Sequence, residues 1–299
     1  MSKTTVISKQ NYSKFEFAAL VLRVGLGLVF FSGGLNKLIL LLNSETSSIM
    51  VNNYLGTTGY INSFFTNYLF TGTLGEFLSP QGFLTILSSV EFILGIMLII
   101  GLFVRPISLI SGFLLWSFVI ALPTETVPGV ILDVKTYTSP AILVMIRDIA
   151  LSGMMFTLYN MGSGLYSLDN KFLSKYKFAK MKNNISWDNL ALLIRLSLGI
   201  VLIVGGLFSG LDHIQSFKAS SIILVVLGVA IILFDIKYLG YVLAAFFLYY
   251  LLLKLNFDKS IISYLNSVKR EFALFTASLV LGYLGSGKSH IISFTSNNK

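Results

Sequence analysis

The sequence predicts an all-α membrane protein built as two tandem four-helix transmembrane bundles, about eight spans in all, with both termini cytoplasmic. Three observations carry this. Hydrophobic residues make up 55% of the 299 and charged residues only 12%, and the mean hydropathy is +0.81; a soluble domain of this size has no use for so much apolar surface. Apolar runs of membrane-spanning length alternate with short polar breaks. The chain also repeats itself: Arg147-Asp148-Ile149-Ala150-Leu151 returns as Arg270-Glu271-Phe272-Ala273-Leu274, and each copy is followed after the same interval by Gly-Ser-Gly, at 162–164 and 285–287.

Residues 1–14 form a basic tail with Lys3, Lys9 and Lys14, too polar for a cleavable signal. The first span is expected over Phe15–Leu42. The stretch 43–82 holds Glu45 and Glu76 but no Lys or Arg, and within it Tyr60–Phe70 suits a short interfacial helix. The second span follows over Phe83–Val104, a break at Arg105-Pro106, and the third span over Ile107–Leu122. A loop from Pro123 to Ser139 leads to the fourth span, Pro140–Met161. The connector from Gly162 to Asn189 carries Lys171, Lys175, Lys177, Lys180 and Lys182. The second half repeats the plan in compressed form over Leu190–Leu211, Ser220–Phe234, Tyr238–Leu255 and Arg270–Ser286. The resulting domains are 1–170, a basic connector 171–189, and a degenerate second bundle 190–299. The Lys/Arg bias places the tail, the connector and the turns at Arg105 and Lys237 in the cytoplasm of a multi-pass plasma-membrane protein, and 43–82 outside. The net charge of +9 reads as topology, not nucleic-acid binding.

The halves align without gaps over their first spans, as Arg-x3-Gly-x5-Gly-Gly-Leu from Arg23 and from Arg195. Small residues so spaced let helices approach closely. In this alignment Glu91 falls opposite Leu224 and Lys37 opposite Ser209, so the first half keeps more intramembrane charge and is expected to be the active one. The Arg270-Glu271 copy then reads as a fold signature.

Ionisable groups inside a membrane cost roughly 2.5–3.5 kcal/mol each at a helix centre and normally pair or face a cavity. At 1.5 Å per residue, Glu91 lies about 12 Å and Arg147 about 10 Å below the outer ends of their spans. Lys37 lies near the outer end of the first. Lys37, Glu91, Arg147 and Asp148 are therefore expected to converge in the outer leaflet. Two readings of the cluster stand side by side. In one, Lys37 and Arg147 bind substrate, an anion or a quinone carbonyl, while Glu91 and Asp148 act as catalytic proton carriers. In the other, the charges pin helices together. Arg23 and Arg195 are expected to snorkel to the inner interface. Trp116, Phe30, Phe31 and Tyr137 are candidates to flank a quinone ring, with packing as the default.

Several classes are excluded. The chain has no cysteine, hence no thiolate cluster or Cys nucleophile. Its two histidines, His213 and His290, fall on opposite sides of the expected membrane, so neither haem nor a metal site is expected. Gly282 to Ser289 fits G-x4-G-K-[ST], but that loop needs a strand before it and a helix after it, and here a membrane span precedes.

The motifs together resemble the DoxX/DoxD family: Arg23-x3-Gly27 with Gly33-Gly34-Leu35-Asn36-Lys37, Glu91-x3-Gly95-x5-Gly101 with Arg105, and Arg147-Asp148-Ile149-Ala150-Leu151 with Gly162 and Leu168-Asp169. The resemblance covers roughly 17–170. It implies a membrane subunit of thiosulfate:quinone oxidoreductase, which oxidises thiosulfate to tetrathionate, passes electrons to membrane quinone, and works with a smaller DoxA subunit. Family members are usually single four-helix bundles, so a double one is a departure. The expected function is therefore a membrane subunit of a quinone-linked oxidoreductase, with quinone as electron acceptor and a DoxA-like partner. The alternative is a non-catalytic accessory subunit of a respiratory complex such as a terminal quinol oxidase.

Overall fold

Each of the eight apolar runs is a helix in the computed structural model, which describes residues 9–55, 59–123, 131–134, 137–176, 186–208, 221–234, 236, 238–255 and 260–288. The elements in order are α1 (Lys9–Leu42), α2 (Ser47–Leu55), α3 (Ser63–Phe70), α4 (Gly72–Phe77), α5 (Pro80–Ile100), α6 (Val104–Ala121), β1 (Ile131–Val134), β2 (Tyr137–Pro140), α7 (Ala141–Met161), α8 (Leu168–Phe172), α9 (Trp187–Leu207), α10 (Ser221–Leu233), α11 (Leu239–Leu253) and α12 (Ile261–Leu284). Four of the helices, α1, α5, α6 and α9, are long and apolar enough to cross a membrane. The helices α10 and α11 are apolar but shorter, while α7 and α12 carry the charged pairs. Where a loop was expected after Pro123, β1 and β2 form an antiparallel ribbon.

Local chemistry sets the helix ends. The Ser79 hydroxyl accepts from the Gly82 N–H at the start of α5, with Pro80 in its first turn, and Asn62 caps α3 in the same way; both satisfy N–H groups that lack an intrahelical partner. Gly101 ends α5 with φ +74°, a conformation open to glycine at no steric cost. Ser260 caps α12, so this helix begins nine residues before Arg270, earlier than its apolar pattern suggests. The early start places Ser263, Asn266, Ser267 and Lys269 on a helix wall.

The same packing arrangement occurs twice. The first helix of each half lies on the second, α1 on α5 and α9 on α10; the third lies on the fourth, α6 on α7 and α11 on α12. Between halves, α1 lies on α12 and α7 on α9. By contrast, the consecutive helices α5 and α6 scarcely touch each other. Glycines set both first-to-second crossings. A Cβ added to Gly27 would stand 3.1 Å from the Gly95 carbonyl oxygen, and one on Gly199 2.8 Å from that of Gly228. One on Gly34 would stand 2.7 Å from the Ser88 oxygen, and one on Gly206 2.6 Å from that of Ser221. These are the same aligned positions, so the small-residue pattern has the same physical cause in both halves. Phe15 and Trp187, also equivalent, meet edge to face at 5.6 Å. One continuous core joins the halves, with Leu22, Leu26, Met154, Leu158, Ile194, Leu198, Ala273 and Ala277 all buried. Ile86, Ile93, Phe113, Ile120, Ile222 and Leu252 remain exposed on the outside, as lipid-facing side chains would be.

Candidate functional site

A cavity of about 1240 Å³ opens where α1, α5, α6, α7 and α12 surround a shared space beneath α2 and α3. Ligand pockets typically measure about 300–1000 Å³, so this one has room for a sizeable molecule. Its walls follow from helical spacing. Phe83, Leu87 and Glu91 fall one turn apart along α5, and Gly33 and Lys37 one turn apart along α1, so each pair or triplet shares a face. One part of the lining is apolar or aromatic, including Phe30, Met50, Phe65, Leu69 and Phe118. The other part is charged.

The charges are arranged in crossed pairs. Lys37 Nζ is 2.5 Å from Glu91 Oε1 and donates a hydrogen bond to it. The Arg270 guanidinium stands 3.4 Å from Asp148 Oδ1, and that of Arg147 3.7 Å from Glu271 Oε1. Lys254 reaches the same Glu271 oxygen at 3.9 Å. Each arginine thus takes the acid of the other copy of the motif, not the acid beside it in sequence. The Lys37 ammonium also lies 5.9 Å from the Phe118 ring centre. Lys269 donates to Asn266 Oδ1 at 2.7 Å and makes no ion pair among the described residues. The lining therefore holds five basic groups, Lys37, Arg147, Lys254, Lys269 and Arg270, against three acids, Glu91, Asp148 and Glu271. Two phenols from the roof join them. Burial pushes both Tyr54 and Tyr60 above the ordinary phenol range, so each stays protonated at neutral pH.

Lys37, Glu91, Arg147 and Asp148, the four residues singled out from the sequence, all line this cavity. Phe30 lines it too. Phe31 instead packs on Phe92, and Trp116 is 41% exposed. Arg270 and Glu271 correct the expectation that the second charged pair is a fold signature alone: because α12 packs on α1 and touches α7, the pair enters the cavity of the first half. Lys254, Lys269, Tyr54 and Tyr60 were not singled out. For Arg270 and Glu271 a signal was available, since each buried charge needs an opposite one at the same depth and each copy of the motif offers both signs.

In the second half Val201, Leu202 and Gly205 of α9, which align with Val29, Phe30 and Gly33, line a void of about 20 Å³ together with Phe247, Tyr250 and the crossed pair Arg147 and Glu271, roughly one water. Leu224, at the place of Glu91, is buried.

A second polar cluster lies at the other end of the bundle. Arg23 and Arg195 do not snorkel as expected; each is 1% exposed. The Arg23 guanidinium donates to the carbonyls of Leu98 and Ile99 at the end of α5 and of Leu165 and Tyr166 after α7. Arg195 donates to Ile231 and Ile232 at the end of α10 and to Ser286 after α12. Helix C-termini present carbonyls without intrahelical partners and a partial negative charge, and a guanidinium fork can satisfy several at once. Gly162, Gly164, Gly285 and Gly287 all have positive φ, so the Gly-Ser-Gly copies are the turns that aim these carbonyls. This accounts for the P-loop match at Gly282–Ser289, since a helix rather than a strand precedes it. In the first half Asp169 adds a cap, accepting from the N–H groups of Phe103 and Val104 at the start of α6. His213 and His290 lie outside the described residues.

A DoxX family domain is found at residues 18–122. It spans α1 to α6, including Lys37 and Glu91, and stops before Arg147 and Asp148. No curated protein matches the chain, and no solved structure does.

Proposed function

We propose that the chain is the membrane subunit of a quinone-linked oxidoreductase, of the thiosulfate:quinone type, and that the cavity receives the quinone. The observation that carries this reading is the lining itself. Apolar and aromatic side chains suited to a ring and an isoprenoid chain meet buried acid–base pairs suited to its carbonyls. The DoxX domain at 18–122 supports it. Lys37 and Arg147 bind the substrate side, while Glu91 and Asp148 carry protons. Two thiosulfates give one tetrathionate and two electrons; quinone takes those electrons with two protons, and the 2.5 Å Lys37–Glu91 contact is a route by which one proton moves. The chain holds no cysteine for electron carriage, so the reading includes a DoxA-like partner. The eight helices cross the plasma membrane with both termini cytoplasmic, an orientation supported by the absence of Lys and Arg from 43–82. The two halves descend from one duplicated four-helix unit, as the twice-made glycine crossings and arginine clusters suggest.

The test is thiosulfate-dependent reduction of a short-chain quinone by purified complex in mild detergent. Arg147→Ala and Glu91→Gln are each expected to lower kcat at least tenfold. Full activity in both overturns the site. Absence of quinone reduction from a complex that retains its partner overturns the function and favours an accessory role.

A further inference from the structure

We propose that the Lys269 corner of the cavity binds the head of an amphiphilic anion, a phosphate, sulfate ester or carboxylate bearing a hydrocarbon chain. The proposal rests on charge and shape and needs no electron transfer, so it stands apart from the redox reading.

Four of the five cavity cations are matched to acids, one for one or by sharing. Lys37 has Glu91, Arg270 has Asp148, and Arg147 and Lys254 divide Glu271. Among the described residues, Lys269 has the neutral Asn266 amide and no acid within ion-pair distance. A cation deep among membrane helices is expensive without a partner, and each of the three acids in the lining is already paired with another cation. Glycine at position 33 admits the ammonium: a Cβ there would stand 2.7 Å from Lys269 Nζ and 3.8 Å from Glu91 Oε2, so a larger residue would displace the lysine from this corner of the cavity.

The rest of the cavity decides the kind of anion. It is far larger than a small oxyanion requires, and from Glu91 the α5 wall continues through Leu87 to Phe83, two turns of apolar lining. Phe65 and Leu69 of α3 and Phe118 of α6 face the same space. A charged head at Lys269 with a hydrocarbon chain along this wall matches both parts.

The test is native mass spectrometry of the full chain, released from a neutral glycoside detergent, with dodecyl phosphate, dodecanol and inorganic phosphate as probes. One dodecyl phosphate per chain is expected to remain bound, with an apparent Kd at least tenfold below that of either other probe. Lys269→Met removes an uncompensated charge and is expected to fold; it raises the Kd at least tenfold, whereas Lys269→Arg stays within about threefold. Leu87→Trp, which leaves the lysine in place and fills the apolar wall, also raises it. Equal retention of dodecanol overturns head recognition. Equal retention of inorganic phosphate identifies a soluble-anion site and overturns the amphiphile. Unchanged binding in both Lys269→Met and Leu87→Trp overturns the location. Failure of thiosulfate-dependent quinone reduction leaves all of these outcomes unaffected.

Discussion

Arg23 shows how a buried cation can be structural without any acid in contact. Its guanidinium serves four carbonyls contributed by the end of one helix and the turn after another. Removing it strands those carbonyls away from water, and hydrogen bonds to a charged group contribute about 1.5–3 kcal/mol each. Arg23→Met is therefore expected to cost about 3 kcal/mol or more, read as a shift of reversible unfolding in mixed detergent–SDS micelles. Arg23→Lys should recover little, since an ammonium cannot span both sets of carbonyls as the planar fork does. A loss below about 1 kcal/mol would mean that water replaces the guanidinium. The positions of Arg23 and Arg195 were legible in the sequence, but their partners were not. Distance to the helix end predicts snorkelling, but that distance reflects only the residue's own helix. What holds these arginines is the end of a neighbouring helix and the turn after another. Lys37, Glu91, Arg147 and Asp148 were legible because helical rise fixes depth, and equal depth is the first condition for contact.

At the scale of elements, α7 and α12 are joined by exchange of acids between two copies of one motif. Glu271 faces both Arg147 and Lys254, so Glu271→Gln leaves two half-buried cations without their shared counter-charge. Breaking a buried pair from one side typically costs about 3–5 kcal/mol, and that is the expected loss. The Arg147→Met/Glu271→Gln double variant should cost less than the two single losses together, with a coupling of roughly 1–3 kcal/mol, measured in the same unfolding assay. The mirror-image pair, Asp148→Asn with Arg270→Met, should behave alike, whereas Arg147→Met with Asp148→Asn should be close to additive. Strong coupling within Arg147-Asp148 would show that the sequence neighbours, not the crossed partners, carry the interaction. The sequence showed that both motifs repeat. It did not show the crossing, because apolar periodicity tells a helix which face to bury and is silent on which helix covers it. The early start of α12 was hidden for a related reason: Ser263, Asn266, Ser267 and Lys269 are polar because they face a cavity, and polarity at a span's end reads as loop.

At the scale of the molecule, the two halves are bound as a two-fold dimer is bound. Equivalent helices make equivalent contacts, α1 with α12 and α9 with α7, in the reciprocal manner of an isologous interface. Equivalence of the backbone coexists with inequality of the interior: a cavity of about 1240 Å³ opens against Lys37 and Glu91, whereas Val201, Leu202 and Gly205 border a void of about 20 Å³. Glu91 against Leu224 is the clearest cause visible in sequence, since an ionisable side chain on one side and a leucine on the other cannot be packed alike. An interface of this kind should hold without the covalent link between the halves. Residues 1–176 and 186–299, coexpressed as separate chains, are expected to assemble and copurify in mild detergent. Fragment 1–176 alone should be unstable or self-associate, because Asp148 and Arg147 lose the groups they face and α1 loses α12. Reassembly should depend on the crossed charges, so Glu271→Gln in the second fragment weakens copurification. A monodisperse first fragment that ignores the second would show that its four helices are sufficient by themselves and that the interface described between α1 and α12 contributes little.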